Sequence, residues 1–175
     1  MHSKFLVHCC GLLLLANLSA CRTYSVSLND KLVYTPLPLF KDYQIADENL
    51  RNCVEQTISD KQIVKAEQLK QLNCSNAGIA SLAGLETFTA LEQLNLEENA
   101  LTRVQQLSHL PRLKVLSLRH NNLIQAESLL QLLHLTTLDL SENKNLPCGD
   151  LQQLVANFRK GELTVTLPEQ CKNKS

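Results

Sequence analysis

The sequence predicts an α/β repeat solenoid, a short arc of about four rungs with a parallel sheet on its concave side. Three observations support this fold class. A leucine pattern recurs with a period of 22 residues, and an asparagine holds the same place in three of the four copies. The segments on either side of the repeats have helical or strand patterns that suit caps, which the two open ends of a solenoid require.

The chain begins with a segment typical of an export signal. A weakly basic start precedes an apolar stretch from Phe5 to Leu15, which is shorter than the ~20 apolar residues of a membrane-spanning helix. The stretch then reaches Leu18-Ser19-Ala20-Cys21, which resembles the bacterial lipobox, where the cysteine is diacylated and becomes the new N-terminus. Residues 1–20 are therefore predicted to be a lipoprotein signal peptide. The alternative is a plain secreted protein with a chance cysteine.

A lipid on Cys21 would hold the protein at the bacterial cell envelope without a transmembrane helix, because two acyl chains give stable anchoring. The next residue is Arg22. An Asp there would resemble the inner-membrane retention signal of enteric-type bacteria, so its absence favours the outer membrane. This covalent lipid is the only cofactor-like group that the sequence predicts.

Residues 21–40 are predicted to form a tether or a small hairpin. Alternating residues from Tyr24 to Tyr34 around an Asn29-Asp30 turn signal favour the hairpin. Pro36 and Pro38 favour extended backbone, and we expect a partly ordered tether.

Composition argues against nucleic acid as a partner. The chain has 17 Lys and Arg against 17 Asp and Glu, so it lacks the excess of basic residues that phosphate binding requires. Aromatic residues make up 4% and Trp is absent, which leaves few platforms for base stacking.

Residues 41–68 are predicted to be an N-terminal cap. The stretch from Asp47 to Ile58 has an amphipathic pattern with an acidic start, which is typical of a short helix. At the other end, residues 146–175 are predicted to be a C-terminal cap, with a helix over Gly149–Phe158 and an alternating strand over Leu163–Leu167.

The repeats occupy residues 69–145. Their four copies start at Leu69, Leu91, Leu113 and Leu135. The Leu-x-Leu part of each copy predicts a short strand with inward leucines, and the residue at the following turn is Ala77, Asn99, Asn121 or Asn143. An asparagine there can satisfy backbone groups inside the stack. Ala77 cannot, so we expect the neighbouring Asn76 to take this role in the first rung.

This pattern, LxxLxLxxNxL, resembles the leucine-rich repeat, and its 22-residue period is similar to that of bacterial internalin-like proteins. The resemblance implies a binding surface. An amphipathic helical bundle is the alternative, but the strict period with asparagine in register argues against it.

Four cysteines follow Cys21, and four cysteines allow three pairings. An oxidising envelope permits disulfides. Cys74 lies in the first rung and Cys148 just past the fourth, which separates them by ~14 Å at ~4.8 Å per rung. Because a disulfide needs Cα atoms within ~7 Å, the predicted pairs are Cys53–Cys74 and Cys148–Cys171. A free buried thiol at Cys74 is the alternative.

The outward side chains of the strands define a predicted binding face. Its residues are Asn73, Asn95, Glu97, Ser117, Arg119, His120, Asp139 and Ser141. Within this polar set only Arg119 is of a type enriched in interface hot spots. The partner is expected to be a protein, or second an envelope glycan. The alternative function is a structural or assembly accessory of the envelope without a discrete ligand.

Catalysis is not expected. Ser117, His120 and Asp139 are predicted neighbours, but a hydrolytic triad needs a histidine that bridges the other two beside oxyanion donors. Here His120 lies past the strand end and no strained nucleophile turn is present, so a hydrolase is disfavoured. His109 and His134 fall in different repeat phases, and no metal site is predicted.

Overall fold

The structure is a computed structural model that describes residues 26–28, 31–34, 37–157 and 163–172. The predicted lipobox and Cys21 lie outside these residues, as does Phe158 at the end of the predicted C-terminal helix. The chain divides into two compact units, Met1–Pro38 and Leu39–Ser175. Within the described ranges, no helix is both long and apolar enough to cross a membrane.

The first unit contains an antiparallel pair of strands. β1 (Val26–Leu28) pairs with β2 (Lys31–Tyr34), and Leu28 lies opposite Lys31. The register shifts once, between Val26 and Ser27. Of the two alternatives for residues 21–40, the structure therefore shows the backbone pairing of a hairpin over these strands.

The second unit begins with a cap built on α1 (Glu48–Asp60). Asp47 is the N-cap residue, and its Oδ1 accepts a hydrogen bond from the backbone N–H of Leu50 at 3.0 Å. Leu50, Val54 and Ile58 recur every four residues, so they share one face of the helix, and all three are buried in the core.

α1 ends in a Schellman motif that sets the position of Lys61. Gln62 adopts a left-handed conformation with φ of 51°, and the N–H of Ile63 donates to the carbonyl of Ile58 at 2.9 Å. The turn directs Lys61 towards the first strand of the sheet, where its Nζ donates to the carbonyl of Gln71 at 3.2 Å.

The segment before α1 packs on the return side of the first rung. Gly84 has φ of 98°, and a Cβ there would come within 2.0 Å of the Gln44 carbonyl oxygen. Glycine is therefore required at this close approach. Beside it, the rings of Phe40, Tyr43 and Phe88 form a cluster with centroids 5.3 to 6.0 Å apart.

The four repeats form a parallel sheet in continuous register, which confirms the predicted fold class. Its strands are β3 (Gln71–Asn73), β4 (Gln93–Asn95), β5 (Val115–Ser117) and β6 (Thr137–Asp139). Each residue pairs with its equivalent in the next repeat, and the central leucine of every strand is buried. The return side carries short 3₁₀ helices at Leu85–Thr87, Gln105–His109 and Glu127–Gln131.

The repeat asparagines form a buried ladder. Asn121 is 4% exposed, and its Oδ1 accepts a hydrogen bond from the N–H of Leu101 in the preceding rung at 3.0 Å. Its Nδ2 lies 2.9 Å from the carbonyl of Leu96 in that rung and 3.0 Å from the carbonyl of Leu118 in its own. Asn143 repeats this pattern one rung later. Each asparagine thus links its own turn to the turn before it.

The first rung is completed by Asn99 and the cap, so the expected role of Asn76 is wrong. Asn99 Oδ1 accepts from the N–H groups of Ala77 and Ile79 at 3.2 and 2.9 Å. Because each asparagine serves the preceding rung, an asparagine at position 77 would have no preceding rung to serve. The cap covers this side of the first rung instead, and Oδ2 of its Asp47 accepts from the N–H groups of Ala80 and Ser81 at 2.9 and 3.0 Å.

The C-terminal end adds a helix and a further strand. α2 (Cys148–Asn157) buries Leu151 and Leu154. β7 (Thr164–Thr166) then pairs in parallel with β6, so the sheet has five strands in the order β3-β4-β5-β6-β7. The predicted strand therefore extends the sheet by one rung rather than only covering its end.

A disulfide joins each cap to its end of the stack. Cys53 on α1 bonds to Cys74 after β3, with Cα atoms 5.8 Å apart, and Cys148 bonds to Cys171 with Cα atoms 5.2 Å apart. These are the two pairs that the sequence predicts. Cys74 occupies an inward position of its rung and is 3% exposed.

Candidate functional site: the concave face

The concave face is formed by the strand side chains on either side of each buried leucine. The register aligns them in two columns, Gln71, Gln93, Val115, Thr137 and Asn73, Asn95, Ser117, Asp139. Two further columns follow the strands, Ser75, Glu97, Arg119, Ser141 and Asn76, Glu98, His120, Glu142. All of these residues are exposed or half-buried, so the strands bring the predicted face together as one surface.

The four residues of the column that contains His120 share one backbone conformation. Asn76, Glu98, His120 and Glu142 all have φ between 51° and 59°. This left-handed conformation is uncommon for residues other than glycine, and here it turns the chain from the strand towards the buried asparagine position. Sequence reasoning missed it, because no glycine marks the position.

In the column Asn73, Asn95, Ser117 and Asp139, most side chains accept a hydrogen bond from the backbone. The side-chain Oδ1 atoms of Asn73, Asn95 and Asp139 accept from the N–H two residues later, at 3.3, 3.0 and 2.9 Å. These are Asx turns, which fix the χ angles of the three side chains. In the part of the chain that the structure describes, Ser117 makes no such bond, so its hydroxyl is available to a partner.

A depression lies over β3, β4 and β5. It has a volume of ≈350 Å³ and is lined by Lys61, Gln71, Leu72, Asn73, Gln93, Leu94, Asn95, Val115 and Ser117. Lys61 is the one charged residue in this lining, and it comes from the cap rather than from a repeat. The depression therefore begins where α1 meets the first strand.

An ion pair lies beside the depression. Arg119 donates from Nη1 to Oε1 of Glu97 on the neighbouring rung. This hydrogen bond and the charge of Glu97 raise the pKa of the Arg119 guanidinium, with smaller contributions from Asp139 and Glu142. Both side chains stay partly exposed, 42% and 27%, so they remain accessible to a partner.

A second ion pair links the same two rungs outside the depression. Lys114 Nζ lies 2.8 Å from Oε2 of Glu92. The hydrogen bond and charge of Lys114 lower the pKa of the Glu92 carboxyl, as do the charges of Lys70 and Arg112. This pair is a solvated cross-rung contact, and such contacts contribute little to stability.

The three residues of the disfavoured hydrolase do not form a triad. Ser117 and Asp139 are paired across β5 and β6. Asp139 Oδ1, however, accepts from the N–H and Oγ of Ser141, at 2.9 and 2.6 Å, and not from His120. Among the hydrogen bonds of the described residues, none connects His120 to Ser117 or Asp139. The arrangement has no bridging base, which proton transfer from a serine requires.

No group of three or more His, Cys, Asp or Glu side chains in the described ranges could hold a metal ion. The polar groups of the concave face are hydrogen-bonding side chains and the charged groups that include the Arg119–Glu97 ion pair.

Comparison with known families identifies the repeat region. The family described as "Endo-beta-N-acetylglucosaminidase EndoS LRR domain" matches residues 45–158, which is most of the second unit. Among curated proteins, no sequence matches the chain significantly.

A solved structure supports the fold. Internalin C2 of Listeria monocytogenes superposes with a TM-score of 0.58 and 22% identity, over 70% of this chain and 55% of that chain. An internalin, InlF, from the same organism gives 0.49 and 24%, over 70% and 44%. This chain thus spans about half the length of the internalins that it matches.

The matched family covers most of the N-terminal cap, the four repeats and α2, and internalin C2 shares the fold. What the comparisons have in common with this chain is the repeat domain. The chain belongs to the EndoS leucine-rich repeat domain family and has an internalin-like solenoid fold.

Proposed function

We propose that this chain is a lipid-anchored protein of the bacterial envelope whose concave face binds a partner protein. The observation that carries the proposal is the depression over β3–β5 on the concave sheet. Solenoids use such concave sheets as extended binding surfaces. The proposal contains no catalytic step, in keeping with a repeat fold that is typically a binding scaffold.

The chemistry of the face supports a partner with polar recognition groups. The outward columns are polar apart from Val115, and the Arg119–Glu97 pair offers both signs of charge next to the depression. Arginine is enriched among the residues that dominate interface energies. A polar face of this kind suits a peptide-like segment of a partner protein better than it suits a flat, apolar partner surface.

Photo-crosslinking tests the binding face. A benzophenone amino acid replaces Ser117 in the full-length protein, and intact cells are irradiated. We expect one discrete adduct, which mass spectrometry identifies as a protein. The matched control places the same group at Leu133, which is 76% exposed and lies outside the sheet, and we expect no adduct from it.

Other results of this experiment would replace the proposal. Adducts from Leu133 without adducts from Ser117 would move the function off the sheet and favour a structural accessory of the envelope. A carbohydrate adduct at Ser117 would make an envelope glycan the partner.

The anchor is a separate part of the proposal, supported by the resemblance of Leu18-Ser19-Ala20-Cys21 to a lipobox. Metabolic labelling with a palmitate analogue tests it. We expect label on the full chain and its loss in Cys21→Ser, together with release of the protein from the outer-membrane fraction. Label that persists in the variant would contradict lipidation at this residue.

A further inference from the structure

We infer that the depression over β3–β5 takes an acidic, extended peptide segment of the partner, with a carboxylate held at Lys61. This inference rests on the proposed protein-binding role of the concave face and names the chemistry of its ligand. The lining of the depression contains one charged residue, Lys61, and no carboxylate.

Lys61 is held in place but retains binding capacity. Its Nζ donates to the carbonyl of Gln71 at 3.2 Å, and an ammonium group has three protons to donate. In the described part of the chain, no carboxylate forms an ion pair with it. An incoming carboxylate therefore finds a positioned cation that is not neutralised.

The amides of the depression add further donors. Asn73 and Asn95 use Oδ1 to accept from the backbone. Their Nδ2 groups have no partner among the described residues, so they remain free to donate. Two neutral amides, Gln71 and Gln93, line the adjacent column with both donors and acceptors, which suits the alternating N–H and C=O groups of an extended peptide.

The acidic groups of the concave face lie elsewhere. Glu97 is paired with Arg119, and Asp139 is bonded to Ser141. Glu98 and Glu142 are the other acidic residues of the face, and none of these four carboxylates lines the depression. Charge complementarity therefore favours an anionic peptide at the end of the sheet next to α1, since a basic peptide would meet Lys61 without a compensating acid.

The cap that carries Lys61 is fixed to the sheet. The Cys53–Cys74 disulfide attaches α1 beside β3, and the Schellman motif orients the residue at its end. The cation is therefore preorganised, which reduces the entropic cost of binding.

Nuclear magnetic resonance titration of the full chain, with the ¹⁵N signals of the second unit as the readout, tests the inference. The probes are the octapeptides (Glu-Gly)₄, (Gln-Gly)₄ and (Lys-Gly)₄, together with chitotetraose as a glycan. We expect (Glu-Gly)₄ to shift the side-chain amide signals of Gln71, Gln93, Asn73 and Asn95, with weaker effects of the other probes.

Two matched variants isolate the cation. Lys61→Gln removes the charge at the depression, and Lys144→Gln makes the same change of net charge at an exposed residue beyond β6. We expect the Kd for (Glu-Gly)₄ to rise about tenfold in Lys61→Gln, as loss of a hydrogen bond to a charged group predicts, and to stay within twofold in Lys144→Gln.

Each other outcome overturns the inference. Equal shifts with (Gln-Gly)₄ would show recognition without charge, equal weakening in both variants would show bulk attraction only, and shifts with chitotetraose alone would identify a glycan site. Absence of shifts with all probes would exclude this ligand class. If the Ser117 crosslink to a protein still formed in that case, the proposed function would stand and only the acidic-peptide assignment would fail.

Discussion

The two ends of the stack solve the same problem in different ways. At the N-terminal end, a helix covers the first rung, and Asp47 on that cap accepts hydrogen bonds from the backbone N–H groups of Ala80 and Ser81. At the C-terminal end, the sheet continues into β7, and Gln170 Nε2 donates to the carbonyls of Asn143 and Lys144 at 3.0 and 3.3 Å. A polar side chain from the cap thus binds backbone groups of the outermost repeat at either end.

The difference lies in what each end leaves available. The helical cap stops the sheet at β3 and directs Lys61 over it, which forms one side of the depression. The strand cap adds a further rung without a charged side chain within β7. A cap that ends the sheet can therefore contribute to a site, whereas a cap that extends the sheet mainly lengthens the surface.

The largest expected effect separates the inner rungs from the ends. Asn121→Ala leaves the N–H of Leu101 without its partner inside the stack. The carbonyls of Leu96 and Leu118 each lose one of two amide donors, since Asn99 and Asn143 still donate to them. We expect the free energy of unfolding to fall by about 3–4 kcal/mol, because buried unpaired groups are costly. Urea denaturation measures the change.

The neighbouring residue is the control for this variant. Asn122 carries the same side chain but is exposed, and Asn122→Ala is expected to change stability by less than about 0.5 kcal/mol. Equal losses in the two variants would show that the ladder does not stabilise the inner rungs.

The disulfides allow a direct comparison of the two ends. Their cysteines are separated by 21 and 23 residues, so loop-closure entropy predicts nearly equal losses of about 3 kcal/mol for Cys53→Ala/Cys74→Ala and Cys148→Ala/Cys171→Ala. Hydrogen exchange should localise each loss to α1 or to α2. A loss at one end only would mean that the other cap is held by its packing.

Asp47 gives a smaller effect that depends on pH. Desolvation favours its neutral form, but backbone N–H groups of Leu50, Ala80 and Ser81 outweigh this and hold the pKa of the carboxyl below its usual value. A lowered folded pKa gives stability that is present above the unfolded value of about 3.9 and is lost as pH falls through the folded value.

The variant Asp47→Asn tests this stabilisation. Because the residue is only half-buried, we expect the variant to lose only about 1 kcal/mol at pH 7. The gap to the parent protein should narrow below about pH 4, where the parent carboxyl becomes protonated. Denaturation at pH 7, 5 and 3 measures it, and a gap that stays constant to pH 3 would show that the charge of Asp47 is not involved.

The repeats, the helices and strand of the caps and the two disulfides were predictable from the sequence, whereas the hydrogen bonds from cap side chains to the rungs were not. Period alone placed β3 to β6 and the ladder asparagines, and the rung separation gave the two disulfide pairs. Asp47 was identified as the start of a helix, but its contact with Ala80 and Ser81 crosses 33 and 34 residues without a repeating signal. The first rung was consequently assigned to the wrong residue, Asn76.

The candidate site divides along the same line. The columns of the concave face follow from strand alternation, so Asn95, Ser117 and Arg119 could be named in advance. Lys61 could not, because it lies outside the repeats and reaches the sheet through the turn after α1. The Asx turns of Asn73 and Asn95 had a local signal, an Asn two residues before the receiving N–H, which a reading of periodicity alone overlooks.

We expect the smallest effect on stability from substitutions in the Arg119–Glu97 pair. Comparing stability with crosslink yield in these variants tests whether the pair only joins two rungs or also contacts the partner. Both side chains are partly exposed, so Glu97→Arg or Arg119→Glu alone should change the stability only slightly, because solvent screens such pairs. The double exchange restores an ion pair across the two rungs, although a carboxylate at 119 then lies near Asp139 and Glu142, whose charges act on that position. Stability should therefore return only in part, whereas the crosslink yield from Ser117 should fall in all three variants, because the face presents reversed charges to the partner. If the double exchange restored the crosslink as well as the stability, the pair would serve only to join the rungs, and recognition would lie at the end of the sheet next to Lys61.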